Sequence, residues 1–164
     1  MFTSRKSLLV LLFALMAFSN GLYAVNATAT LVASRGEVTA TTAGVPRLLT
    51  QGDPVFVGDE VSTAVKSFAI LQFIDGAKVT VRPASKIVID EYVFDGGDGD
   101  AATLNLVEGG LRIITGAMAK TNPESYKVQT PVALLGVRGT EFAIMLCGDQ
   151  VCEEEEVTES PETD

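Results

Sequence analysis

The chain has no histidine and no tryptophan, and only two cysteines and three tyrosines, among 164 residues. Without histidine, the Ser-His and Cys-His nucleophile systems are excluded, because both need an imidazole to take the proton. A lysine or serine nucleophile is the catalytic option that stays open. Two cysteines and no histidine are too few for a structural zinc site. Aromatic faces for a sugar or other ligand are scarce, since Tyr92 and Tyr126 are the only tyrosines beyond the first 24 residues. Bases are also in deficit, 12 Lys and Arg against 21 Asp and Glu, for a net charge of −9. That balance argues against nucleic acid or anionic lipid as a partner, because both need a positive surface. Carboxylate pairs exist at Asp59-Glu60 and Asp90-Glu91. Adjacent residues on a strand point to opposite faces, so neither pair suits a two-carboxylate glycosidase. The expectation is a non-catalytic protein with no cofactor and no metal site.

Only one long apolar run is present. Arg5 and Lys6 precede Leu8–Phe18, which is unbroken, and Ser19, Asn20 and Gly21 follow it. Basic, apolar and small-residue segments in this order make a secretory signal peptide over residues 1–24. The run is 11 residues long, against roughly 20 for a membrane-spanning helix. Cleavage is expected after Ala24 or Ala27, leaving Val25 or Thr28 first. No cysteine lies near either position, so a lipid-anchored start is not supported. The mature chain is expected to be periplasmic or secreted, with no stable membrane insertion after cleavage. Removing residues 1–24 takes away Arg5 and Lys6 and no acid, which moves the net charge from −9 to −11.

What remains is rich in short strands and turns. In Lys66–Pro83, Phe68, Ile70 and Ile74 fall on one face and Ala69, Leu71 and Phe73 on the other. Apolar residues on both faces predict a strand buried on both sides. Asp75-Gly76 follows, the signature of a two-residue type I′ hairpin turn. On the return strand Val79 and Val81 alternate with Lys78, Thr80 and Arg82, and Pro83 ends it. Near the end, Phe142, Ile144 and Leu146 alternate with Glu141, Ala143 and Met145. No segment of ten or more residues carries a helical stripe. The pattern predicts an all-β fold, a single compact sandwich or roll or a short solenoid-like domain over residues 30–147.

Gly52-Asp53 and Gly58-Asp59, six residues apart and each followed two places on by an apolar residue, predict two successive turns of similar shape. The Asp95–Asp100 loop, DGGDGD, lacks the ligand spacing of a calcium loop, and an exposed hairpin loop is expected there. Cys147 and Cys152 bracket GDQV. In an oxidising compartment such a pair is expected to form a disulfide, worth about 2 kcal/mol for so short a loop. Residues 153–164 hold seven acids and no base. This tail cannot bury a core and is expected to be disordered.

Taken in order, these motifs resemble the FecR domain family. The resemblance spans residues 35–146 and rests on the paired Gly-Asp turns, the Ser-containing turn before Phe68, the Asp75-Gly76 hairpin and Thr130-Pro131 leading to Gly136-Val137-Arg138-Gly139-Thr140. It implies an extracytoplasmic all-β domain. In the founding type, such a domain receives a signal from an outer-membrane transporter and relays it across the inner membrane to a sigma factor. This chain shows no internal membrane span and no cytoplasmic amino-terminal domain, so it is expected not to contact a sigma factor itself. The expected role is a protein-interaction or signal-sensing module with an envelope protein as partner; the alternative is an envelope-glycan or small-ligand binder. Arg138, between two glycines, is expected to brace a corner by forking onto a carboxylate, with Glu141, Asp59 and Asp53 as acceptors.

Overall fold

A computed structural model describes residues 26–137 and 141–147. The signal-peptide segment, Arg138, Gly139, Thr140, Cys152 and the acidic tail lie outside the described residues. Thirteen strands follow one another there: β1 (Ala29–Arg35), β2 (Val38–Thr42), β3 (Val45–Leu48), β4 (Pro54–Val55), β5 (Glu60–Thr63), β6 (Phe68–Phe73), β7 (Lys78–Val81), β8 (Ser85–Val93), β9 (Ala101–Glu108), β10 (Gly110–Ile114), β11 (Tyr126–Gln129), β12 (Leu134–Gly136) and β13 (Glu141–Met145). One short helix, α1 (Ala117–Thr121), and a single 3-10 turn at Pro123–Ser125 separate β10 from β11.

The strands form two sheets. The first has the order β13-β10-β7-β6-β1-β4 and the second β12-β11-β9-β8-β5-β2-β3. All neighbours are antiparallel except β9 and β11, a parallel pair whose connection runs through β10 in the other sheet, α1 and the 3-10 turn. Each sheet buries one face, and the two apolar faces meet in one core that includes Leu31, Leu71, Val79 and Ile113 from the first sheet and Val61, Ile87, Leu104 and Tyr126 from the second. Full burial of a Leu or Ile side chain stabilises by about 1.5–3 kcal/mol. The all-β expectation thus resolves to a sandwich with four open edges among the described residues, not a barrel or a solenoid.

Three local expectations need correction. β6 is not buried on both sides. Ala69, Leu71 and Phe73 are in the core, Phe68 and Ile70 are half-buried on the outward face, and Ile74 is 51% exposed beyond the strand. Apolar residues on an outward face are ordinary in a small domain, and β6 has no third layer above it. At Asp90 the register between β8 and β9 shifts, leaving Asp90 without a partner across the ladder. This bulge lets Asp90 and Glu91 both reach solvent instead of alternating. In the loop from Asp95 to Asp100, the last residue is buried, unlike its neighbours. Its Oδ1 accepts the backbone N–H groups of Asp95 (2.8 Å) and Gly96 (3.2 Å).

Candidate functional site

The two Gly-Asp turns share one geometry. Asp53 N–H donates to Thr50 O (3.0 Å) and Asp59 N–H to Phe56 O (3.2 Å). Gly52 and Gly58 hold the third turn position at φ +96° and +88°, a region that favours glycine. In each turn the Asp carboxylate closes the ring by accepting from the first residue, Thr50 N–H at 2.7 Å and Phe56 N–H at 2.9 Å. The difference lies in what else the carboxylate does. Asp53 stays at the surface, where bonds from the Thr50 backbone and hydroxyl hold its pKa below the ordinary value.

Asp59 is fully buried and takes Arg47 from edge strand β3. Arg47 donates to Oδ2 at 2.6 Å and to Oδ1 at 3.2 Å, and also to Pro54 O at 2.9 Å. The Thr42 hydroxyl donates to the same carboxylate. The guanidinium lies 5.5 Å from the centre of the Phe56 ring. Burial pushes the Asp59 pKa up, but the bonds from Arg47, Thr42 and Phe56 outweigh it and leave the pKa lowered. The bond to Asp59 raises that of Arg47 in turn. Arg47 was not singled out in the sequence. Its one signal there is a lone base between the apolar residues of VPRLL, just before the first Gly-Asp.

Asp75 anchors the opposite end of the sandwich. The β6–β7 hairpin is present, but its turn is not type I′. Phe73 N–H bonds to Ala77 O (2.8 Å) and Gly76 N–H to Phe73 O (3.0 Å), enclosing the three residues Ile74, Asp75 and Gly76. Of these only Gly76 has positive φ, +85°, the pattern of a three-residue loop with a glycine bulge. This leaves the Asp75 side chain free to turn inward. It accepts from Ala77 N–H (3.0 Å), the Tyr92 hydroxyl (2.6 Å) and Met118 N–H (3.3 Å). Tyr92 stacks on Phe73 at 4.4 Å and meets Tyr126 edge-on at 6.2 Å. Burial raises the pKa of both tyrosines. Both belong to the core and offer no exposed aromatic to a glycan.

At the carboxyl-terminal side, β11 and β12 form a hairpin closed by Thr130, whose hydroxyl accepts from Ala133 N–H at 3.0 Å. Val132 is 88% and Leu134 63% exposed. Leu134 and Gly136 line a shallow groove of about 310 Å³ with Pro123, Glu124 and Lys127. Val137 turns into the core and its N–H bonds to Tyr126 O (3.1 Å). The chain next appears as β13 on the edge of the other sheet. The Gly136–Thr140 motif therefore spans the crossing between two edge strands, one in each sheet. The acceptors weighed for Arg138 are already engaged: Asp59 by Arg47, Asp53 by Thr50, and Glu141 by Arg112, whose Nε donates at 2.6 Å. Among the described residues, no group of three or more His, Cys, Asp or Glu is placed to hold a metal ion.

A family model described as FecR protein matches residues 59–159, 101 of the 164 residues. The chain belongs to the FecR family. No curated protein and no solved structure matches it. FecR is a regulatory and signalling family. The FecR match opens at Asp59 and takes in β5 to β13, and it continues past the described residues. β1 to β4 precede it, yet β1 lies between β6 and β4, and β2 between β5 and β3. The FecR sandwich of this chain is thus completed by strands ahead of the matched range.

Proposed function

We propose that this FecR-family chain is a non-catalytic, exported protein-interaction module, and that it takes an extended segment of an envelope protein along β12. The observation that carries this reading is the contrast among the four edges. β3 contains Pro46, β4 is two residues long and begins with Pro54, and β13 carries the Arg112–Glu141 ion pair beside it. Prolines, short length and charge are the usual protections against strand addition. β12 is short, three residues, but carries neither proline nor charge and is exposed along its length. Bonds from Thr130 N–H to Ala133 O and from Val137 N–H to Tyr126 O fix which groups face β11. By alternation, Leu134 and Gly136 present their backbone groups to the open side, as β-augmentation requires. The leader supports a location outside the cytoplasm, an oxidising compartment in which Cys147 and Cys152 are expected to pair.

Photo-crosslinking from position 134 in cells is expected to trap a discrete protein, whereas the same group at Val65, 74% exposed on the β5–β6 turn, is expected to trap none. Leu134→Pro removes an outward donor without touching the β11 ladder, so it should abolish the adduct formed from a neighbouring position while leaving the melting temperature close to wild type. Leu134→Ala, which keeps the donor, should retain most of it. Equal trapping from both positions, or capture undiminished in Leu134→Pro, refutes the edge.

A further inference from the structure

The outward face of the first sheet has the charge sign opposite to that of the whole chain. Residues directly opposed in an antiparallel pair share a face, and the register places Lys78 in one row with Glu141, Arg112 in the next, and Arg35 beyond it, opposite Phe68. Arg82 extends that last row: its N–H bonds to Gly110 O (3.0 Å), and its Cδ lies 3.3 Å from where a Gly110 Cβ would stand. Four bases thus share the face with one acid, Glu141, which Arg112 already holds. Arg35, Lys78 and Arg82 form no ion pair among the described residues. In a chain with a net charge of −9, such a face marks a docking surface for carboxylates.

The chain carries a matching segment at the border of this face. β13 is the edge strand, and Leu146 N–H bonds to Gly109 O (2.8 Å), which sets the end of β13 beside the start of β10. Glu153 to Glu156 follow Cys152, which the expected disulfide holds about 6 Å from Cys147, so Glu156 reaches up to about 20 Å from Cys147. Arg82, just past β7 and in the row of Met145, is two strands from the end of β13, about 10 Å across, and Lys78, in the row of Glu141, is about 20 Å from Cys147. We propose that Glu153–Glu156 fold back over the outward face of the first sheet and cover Arg82 and Lys78. The contact buries no core and depends on charge and tether alone. A linker this short gives an effective concentration in the millimolar range, so a contact too weak to hold a free peptide is populated. Salt of a few hundred millimolar disperses it. This surface lies on the other sheet from β12 and does not depend on the strand-addition reading.

Amide chemical shifts test it, with the full chain compared with a form lacking 153–164 and with one in which Glu153–Glu156 are all Gln. At low salt the full chain is expected to differ from both at Lys78, Thr80, Arg82 and Gly110, with no difference at the β2–β3 or β8–β9 hairpins. The differences should vanish in 0.5 M salt (a concentration of roughly this order screens charges within about 4–5 Å), and they should be independent of protein concentration. The Gln form leaves the folded strands untouched, so misfolding cannot imitate the result. Identical shifts in all three proteins overturn the proposal. Differences that appear only as concentration rises overturn the intramolecular contact and assign the face to the tail of a second copy.

Discussion

The clamp of Arg47 on Asp59 makes a quantitative prediction. Arg47→Ala strips a fully buried carboxylate of its counter-charge and of two donated bonds, and frees Pro54 O of a third. Removing one partner of a buried pair costs about 3–5 kcal/mol. Two features reduce that here. The Arg47 side chain is 33% exposed, so water replaces part of it, and Asp59 keeps the bonds from Thr42 and Phe56 N–H. The expected loss is about 2–3 kcal/mol, close to a 10 °C fall in melting temperature for a domain of this size. Arg47→Lys should recover less than half, because an ammonium cannot bond both carboxylate oxygens and Pro54 O at once. The effect carries a pH signature. The pKa of Asp59 is lowered in the fold, so its contribution is present above the ordinary value of about 3.9 and is lost as pH falls through the lower folded value. Urea melts of wild type and Arg47→Ala should therefore differ fully at pH 7 and converge toward pH 3. A loss below about 0.5 kcal/mol, the usual range for a surface change, would refute the clamp. So would a gap that stays constant down to pH 3.

Two further predictions follow from the Asp75 end. The pKa values of Tyr92 and Tyr126 are raised by burial, so their contribution is intact below the ordinary value near 10 and is lost above it, by about 1.4 kcal/mol per pH unit for each ring. Absorbance of tyrosinate, whose ordinary pKa is near 10, should appear together with unfolding rather than before it; independent titration of either ring in the folded protein contradicts the placement. Gly116→Ala puts a Cβ 2.4 Å from Asp75 Oδ2 and 2.5 Å from Ala77 N, and should cost about 1–3 kcal/mol by overpacking. Gly136→Ala is its control, with nothing within 4 Å of the added carbon, and denaturant melts should find it close to wild type.

Local patterns were legible where one strand or turn decides them. Val79 and Val81 alternate with Lys78 and Thr80, and the fold buries the valines. The Gly-Asp repeats declared two similar turns because their chemistry lies within four residues. β6 misled because periodicity counts apolar residues on a face without showing whether another layer covers it. The type of the Asp75-Gly76 turn was misread because that dipeptide serves two- and three-residue loops alike, and the choice depended on Asp75 reaching Tyr92, 17 residues away. Asp59 was singled out and Arg47 was not, since a partner 12 residues upstream on an edge strand leaves no spacing signature. The five residues of α1 are too few to show a stripe, and the parallel pairing of β9 with β11, reached by way of β10 and α1, was equally invisible.

Strand direction in the first sheet has a mechanical consequence. Because each neighbour is antiparallel, β1, β7 and β13 run one way and β6 and β10 the other. The start of β1 and the end of β13 therefore lie at opposite ends of the sheet. A pull applied between them has a component along the strands as well as across them. The six paired positions of β1 with β6 and the five of β10 with β13 are then loaded in shear and must yield together, as in a lap joint. The same pull across a hairpin would part its rungs one at a time. Resistance to force is set by the rate of unfolding rather than by equilibrium stability, and this strand order makes the first sheet hold against such a pull before it opens.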